Sequence, residues 1–255
     1  MSDSLDPSPY ITLDYAPLEE RMQAYTRYAR SVTRAAGQIR ENLRMPMART
    51  RLQYGIDSFG GMADYFRNDV PAVFAEVDNA ELQAAFAEVN TAAADAMQEL
   101  ADWLSSNLST ATEDYALGAE LFSQMIYDTE RVEVPLAELQ AMGEEDMKRN
   151  QIALGEACAE FAPGESVRSC FAMMANRKPP GGSVESARQQ VTETKTFLVE
   201  KDLVSIPGNE EALVEEAPPY ARSNFAYINI PGPFEKNQPS VYYISPPNPD
   251  WSEEV

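Results

Sequence analysis

Histidine is absent from all 255 residues. It is the commonest zinc ligand and the usual general base near neutral pH. Ser–His and Cys–His nucleophilic devices and the H-E-x-x-H zinc helix are therefore excluded within these residues. What stays open is carboxylate chemistry, acid–base work by Lys or Tyr, or no chemistry at all. Cysteine is nearly absent too, with two residues and no C-x-x-C pair. Basic residues number 20 against 41 acidic ones, a net charge of −21. A field of that sign repels phosphate backbones, so no nucleic-acid partner is expected. It reads first as a solubilising surface, with attraction of basic partners as the alternative. No apolar run reaches transmembrane length, and MSDSLDPSPY at the start is not a signal peptide.

The short motifs are missing as well. There is no G-x-G-x-x-G, no Walker lysine loop, no G-x-S-x-G and no S-x-x-K. Acidic runs such as Glu144-Glu145-Asp146 lack the spacing of a calcium loop and read as solvated helix face. Paired carboxylates for glycoside cleavage cannot be assigned among 41 candidates. No catalytic residue and no metal ligand is assigned.

Long apolar stripes at helical spacing are what the chain does have. Leu18, Met22, Tyr25, Ala29, Val32, Ala36, Ile39 and Leu43 alternate by four and three, with Pro17 in the first turn and Asp14 as its cap. Leu52, Ile56, Phe59, Ala63 and Phe66 form a second stripe, where Gly60-Gly61 marks a weak point or a close contact. Leu82, Phe86, Val89, Ala93, Ala96, Leu100 and Trp103 form a third. Three such stripes predict antiparallel helices sharing a core. An intermolecular coiled coil is the competing reading, disfavoured because alanine specifies a long zipper poorly. A further helix is expected from Thr112 through Leu117, Leu121 and Met125. Another runs from Pro135 to about Phe161 with Met147, Leu154 and Cys158 on one side. A short one holds Cys170, and a last one passes through Val184, Ala187, Val191 and Leu198.

After Leu203 prolines set the geometry, removing donors and pushing their predecessors to extended conformations. Short strands are predicted at 203–206, 213–216, 225–230 and 241–244, with the prolines marking sheet edges. In the third, Phe225, Tyr227 and Asn229 share one face and Ala226, Ile228 and Ile230 the other. The fold class is thus mostly α: an antiparallel helical bundle followed by a small proline-punctuated sheet. The expected organisation is an irregular lead over 1–16, the bundle over 17–201 and the sheet segment over 202–255. Tyrosines on these strands are mostly sheet packing. Arg222 and Asn224, polar and beside a sheet edge, are the better ligand candidates, with Tyr227 and Tyr243 beside them.

Cys158 and Cys170 sit at the two ends of a helix–turn–helix joined by EFAPGESVRS. That arrangement can bring their α-carbons within bridging range, and closing so short a loop contributes about 3 kcal/mol in the chain-entropy model. Two buried thiols are the alternative. A reactive cysteine would need a cationic partner, which histidine cannot supply here.

The runs KDLVSIPGNEEALVEEAPPY and RSNFAYINIPGPFEKNQPSVYYISPPNPDW, with DYAPLEERM, LGAELFSQM, ACAEFAPG and NRKPPGGSVESARQQ upstream, resemble the bacterial family known as domain of unknown function 885. That family is read as zinc metallopeptidases related to the helical thermostable carboxypeptidase group. The resemblance implies an H-E-x-x-H-type helix following the segment PPNPDWSEEV, a further N-terminal region, and an export signal in many members. On this reading the chain is an internal section of a larger enzyme, and zinc belongs to the full-length family member alone. The parent would be periplasmic or secreted, with a peptide-like substrate pairing with a strand edge at 225–230 or 241–244. The section would not be catalytically competent by itself, and its exposed sheet edge would favour self-association. A non-catalytic helical interaction protein, binding a partner through its sheet edge or acidic surface, is the alternative. A carboxylate-based hydrolase is a third reading.

Overall fold

The three apolar stripes fold into three long helices whose apolar faces meet. The computed structural model describes residues 5–178, 180–206, 208, 211–235 and 238–247. The chain is mostly α, an antiparallel bundle followed by a small sheet near the C-terminal end. It divides into two compact units, Met1–Asp114 with Gly181–Pro246, and one built on Tyr115–Pro180.

The first unit opens with a single turn, α1 (Ser8–Ile11), followed by α2 (Leu18–Asn42). Pro17 stands at the N-cap of α2 and makes no side-chain cap. Asp14, expected to cap, instead pairs with Arg21 at 3.6 Å. Met22, Tyr25, Ala29, Val32, Ala36 and Ile39 are buried, the interior of the first stripe. Next come α3 (Arg49–Asn68), the one-turn α4 (Val70–Val73) and α5 (Ala80–Ser106). Asn79 caps α5 by accepting a hydrogen bond from the Leu82 N–H at 3.1 Å. Leu52, Phe59, Ala63 and Phe66 from α3 and Phe86, Ala93, Ala96 and Leu100 from α5 complete the core. At this centre Tyr25 donates to Asn90 Oδ1 at 2.5 Å, and Asn90 Nδ2 donates to the Phe66 carbonyl at 2.6 Å. One buried amide thereby ties all three helices together.

The second unit holds α6 (Ala119–Glu130), α7 (Leu136–Phe161) and α8 (Val167–Ala175). The helix expected from Thr112 starts seven residues later. The Thr112 N–H donates to the Met47 carbonyl and its own carbonyl accepts from the Arg49 N–H, so its backbone is committed to a bridge. Leu117 lies in the extended lead, and Gly118, at φ +77°, forms the N-cap. In α7 the cysteine side of the stripe is buried at Cys158, whereas Met147 and Leu154 are exposed. Cys158 and Cys170 are bonded as a disulfide, with α-carbons 5.9 Å apart, and join α7 to α8.

Back in the first unit, α9 (Gly182–Glu200) leads to the sheet of β1 (Leu213–Glu216), β2 (Ala226–Asn229) and β3 (Val241–Ile244). Its order is β1-β3-β2, with β3 parallel to β1 and antiparallel to β2. The strand expected at 203–206 is absent. There the Leu203 N–H donates to the Leu198 carbonyl and Asp202 takes φ +50°, so the segment finishes α9 and joins no ladder.

Candidate functional site

Gly61 is the hinge of the site's construction. A Cβ at this position would lie 2.7 Å from the carbonyl carbon and oxygen of Pro219. Only glycine lets the 3-10 turn Pro219–Ala221 lie against α3. Tyr220, in that turn, packs edge-on against Tyr65 of α3 with centroids 5.3 Å apart. Its hydroxyl donates to Asp6 Oδ1 at 3.1 Å. The turn is closed by Arg222, whose Nε donates to the Ala217 carbonyl at 3.0 Å and whose Nη2 meets Glu216 Oε1 at 2.6 Å.

Across from this turn, Tyr227 on β2 and Tyr243 on β3 are register partners, and their rings stack at 5.0 Å. Between the two tyrosine pairs runs a cleft of ≈ 840 Å³. All four residues singled out from the sequence line it: Arg222, Asn224, Tyr227 and Tyr243. Tyr65, Tyr220, Asp6 and Asp69 line it too. Tyr65 and Asp69 come from α3 and its C-cap and Asp6 from the segment before α1, far from the sheet in sequence, while Tyr220 sits in the turn between β1 and β2.

Burial is the largest influence pushing the Tyr220 hydroxyl up, and the neighbouring Asp6 charge adds to it. Burial likewise raises Tyr65, with Asp69 next, and Tyr227, with Tyr243 next. These phenols stay protonated at neutral pH and present donors, acceptors and ring faces. Asp69 is held above the usual carboxylate range by partial desolvation and by Asp64, while Arg222 pulls the other way. The Ser8 and Tyr220 hydroxyls of the lining both donate to the Asp6 carboxylate, so the described wall presents hydrogen-bonding groups and ring faces to the cleft.

Among the described residues the sheet has two outer strands, β1 and β2. Arg188 of α9 donates through Nε to the Val214 carbonyl at 3.0 Å, covering part of the outer side of β1. β3 lies in the middle and has no free edge, so the expectation that 241–244 offers one is corrected. That leaves β2. The Ser245 N–H donates to the Phe225 carbonyl, which makes Phe225, Tyr227 and Asn229 the residues that bond toward β3. The backbone groups of Ala226 and Ile228 consequently point outward.

A family profile of bacterial proteins of unknown function, DUF885, matches residues 4–255. The chain belongs to the DUF885 family. No curated protein matches this DUF885 chain. Among solved structures, a candidate lipoprotein of unknown function from Shewanella oneidensis is similar, at 18% identity and a TM-score of 0.58. The match covers 99% of this chain and 48% of the other, so the chain spans about half the length of that relative. At that identity the likeness speaks for the fold alone.

The DUF885 chain has no histidine, and both cysteines are in the disulfide. Among the described residues no group of three or more Cys, Asp or Glu side chains is placed to hold a metal ion. The described residues do not fit a zinc site. No described helix is long and apolar enough to cross a membrane.

Proposed function

We propose that this chain is the helical wall and substrate-cleft section of a peptidase-like DUF885 protein, and that it binds an extended peptide along the open edge of β2. The observation that carries the reading is the joining of a tyrosine-lined cleft to the outward backbone groups of Ala226 and Ile228. An added strand gains main-chain hydrogen bonds from such an edge, and alternate side chains take pockets beside it. Tyr227 and Asn229 share the strand face that lines the cleft, so a paired peptide would run past both. Catalysis, on this reading, belongs to metal-binding residues outside this sequence, and the chain's own work is to hold and align the peptide. The half-length match to a longer relative supports a section of a larger protein. That relative's description as a lipoprotein, together with the disulfide, supports an exported parent.

Substituting Ile228→Pro tests this directly. Its N–H points away from β3, so proline removes an edge donor without taking a ladder bond from the sheet. A labelled hexapeptide of mixed composition should bind the parent chain and lose most of its affinity for I228P, while the stacked Tyr227–Tyr243 pair keeps its near-ultraviolet dichroism. Undiminished binding to I228P would overturn the edge-pairing reading.

A further inference from the structure

Within the second unit the apolar surface outruns the core. No side chain of α6 is buried, although the helix carries Leu121, Phe122 and Met125, all exposed. A helix of 12 residues is marginal in water by itself, and most helical stability comes from a packed apolar face. In α7, Leu136, Leu139, Gly143, Met147, Leu154 and Cys158 follow one another at spacings of three, four and seven, which puts them on one side of the helix. Leu136 and Leu139 at one end of this stripe are half-buried, and Cys158 at the other is buried. The middle is bare. Every residue from 140 to 154 is exposed, Met147 at 61% and Leu154 at 40%.

Gly143 stands in that bare stretch, and a Cβ there would meet nothing within 4 Å. Glycine weakens a helix interior relative to alanine, and no described neighbour needs the space it leaves. What a glycine on an apolar stripe provides is room for a second helix to come close.

We propose that the bare stripe of α7 is a docking face, and that its occupant is an apolar helix face supplied by the part of the full-length protein outside these residues. Exposed apolar surface of this extent marks an interaction site. Two observations choose the occupant. The match covers 48% of the solved relative, so about half of that protein's length lies beyond it and there is chain to supply the cover. The stripe also has the spacing of helix-on-helix packing, in which ridges three and four residues apart seat in a partner's grooves. Met147, unbranched and polarisable at the centre of the stripe, fits its shape to whatever ridge it meets. The inference rests on the larger-protein part of the reading above and is independent of the β2 edge.

Peroxide converts exposed methionine to its sulfoxide and spares covered methionine, and mass spectrometry reads each site. The full-length gene product is compared with this chain, with Met22, buried in the first unit, as the slow reference. In this chain Met147 should oxidise as fast as Met142, which is also exposed on α7. In the full-length protein Met147 should oxidise about tenfold more slowly than it does in this chain. Met147→Asp should lower the Tm of the full-length protein by several degrees and leave that of this chain unchanged. Protection of Met147 in this chain at high dilution would put the cover within these residues and overturn the proposal. Protection that grows with the concentration of this chain would make the occupant a second copy, and protection only with added phospholipid vesicles would make it a membrane; either overturns it too. Equal oxidation in both proteins, with M147D silent in both, overturns it and leaves the larger-protein reading standing. A gene product that stops at Val255 removes that reading and the inference together.

Discussion

Two adjacent glycines in α3 should respond in opposite ways to the same substitution. A Cβ on Gly60 would have its nearest neighbour, the Ala101 Cβ, at 4.0 Å, an ordinary contact. On Gly61 it would lie 2.7 Å from the Pro219 carbonyl carbon and oxygen and 2.8 Å from the Tyr220 nitrogen. Those are backbone atoms, so no side chain can swing aside and the turn itself must move. Both substitutions gain about 1 kcal/mol of helix propensity. Gly60→Ala keeps that gain, and about 1 kcal/mol corresponds to a rise of roughly 2–4 °C in Tm for a chain of this size. Gly61→Ala must set against it an overpacking cost of about 1–3 kcal/mol. It also loses the Tyr220–Asp6 hydrogen bond, worth about 1 kcal/mol. The net effect is a loss of about 1–3 kcal/mol, small against the helical core, but concentrated at the turn that builds one wall of the cleft. Thermal denaturation by circular dichroism reads the first effect, and near-ultraviolet dichroism together with hexapeptide affinity reads the second. G61A should melt several degrees below G60A, lose the Tyr65–Tyr220 signature and bind peptide at least tenfold more weakly. Equal melting temperatures with an intact tyrosine signal would show that the turn does not rest on α3 as described.

Further outcomes follow from the core, the disulfide and the phenols. Asn90→Leu strands the Tyr25 hydroxyl and the Phe66 carbonyl in a buried site, and should cost about 2–4 kcal/mol in chemical denaturation. Cys158→Ser removes the bond joining α7 to α8, worth about 3 kcal/mol for a loop of that length. The loss should show as faster proteolysis within 136–175, with the melting of the α2–α3–α5 core unchanged. Burial holds Tyr25, Tyr65 and Tyr220 above their ordinary 10.0 in the folded chain, so the unfolded state releases those protons first. Stability is therefore full below pH 10 and falls as pH rises beyond it. Phenolate absorbance from the buried tyrosines should appear together with the loss of helix, and phenolate formation ahead of unfolding would count against their burial.

Much of the architecture was legible because periodicity is a local property. The α2 stripe from Met22 to Ile39 is the buried face of a real helix, and the bounds of β1 and β3 match the runs LVEE and VYYI. The misreadings occur where a backbone group is claimed from far away or by a helix end. Thr112 has helix-compatible neighbours, but Met47 and Arg49 take its hydrogen bonds. Leu203 looks strand-like, but its N–H goes back to α9. Strand order is equally non-local, since nothing within VYYI says that it lies between the other two strands. The site was legible by half. Arg222, Asn224, Tyr227 and Tyr243 were noticeable as polar and aromatic residues near prolines. Asp6, Tyr65 and Asp69 join them only because Gly61 admits the turn against α3. A glycine on a helical stripe was the available signal, and it pointed to a close contact without naming the partner.

Whether a peptide pairs with β2 is resolved residue by residue by amide hydrogen exchange in NMR. The N–H groups of Tyr227 and Asn229 bond toward β3, whereas those of Ala226 and Ile228 face outward. Adding a saturating hexapeptide should slow exchange at Ala226 and Ile228 and leave Tyr227 and Asn229 as protected as before. Binding without that alternation, or protection elsewhere on the chain alone, would contradict the assignment of β2 as the peptide-binding edge.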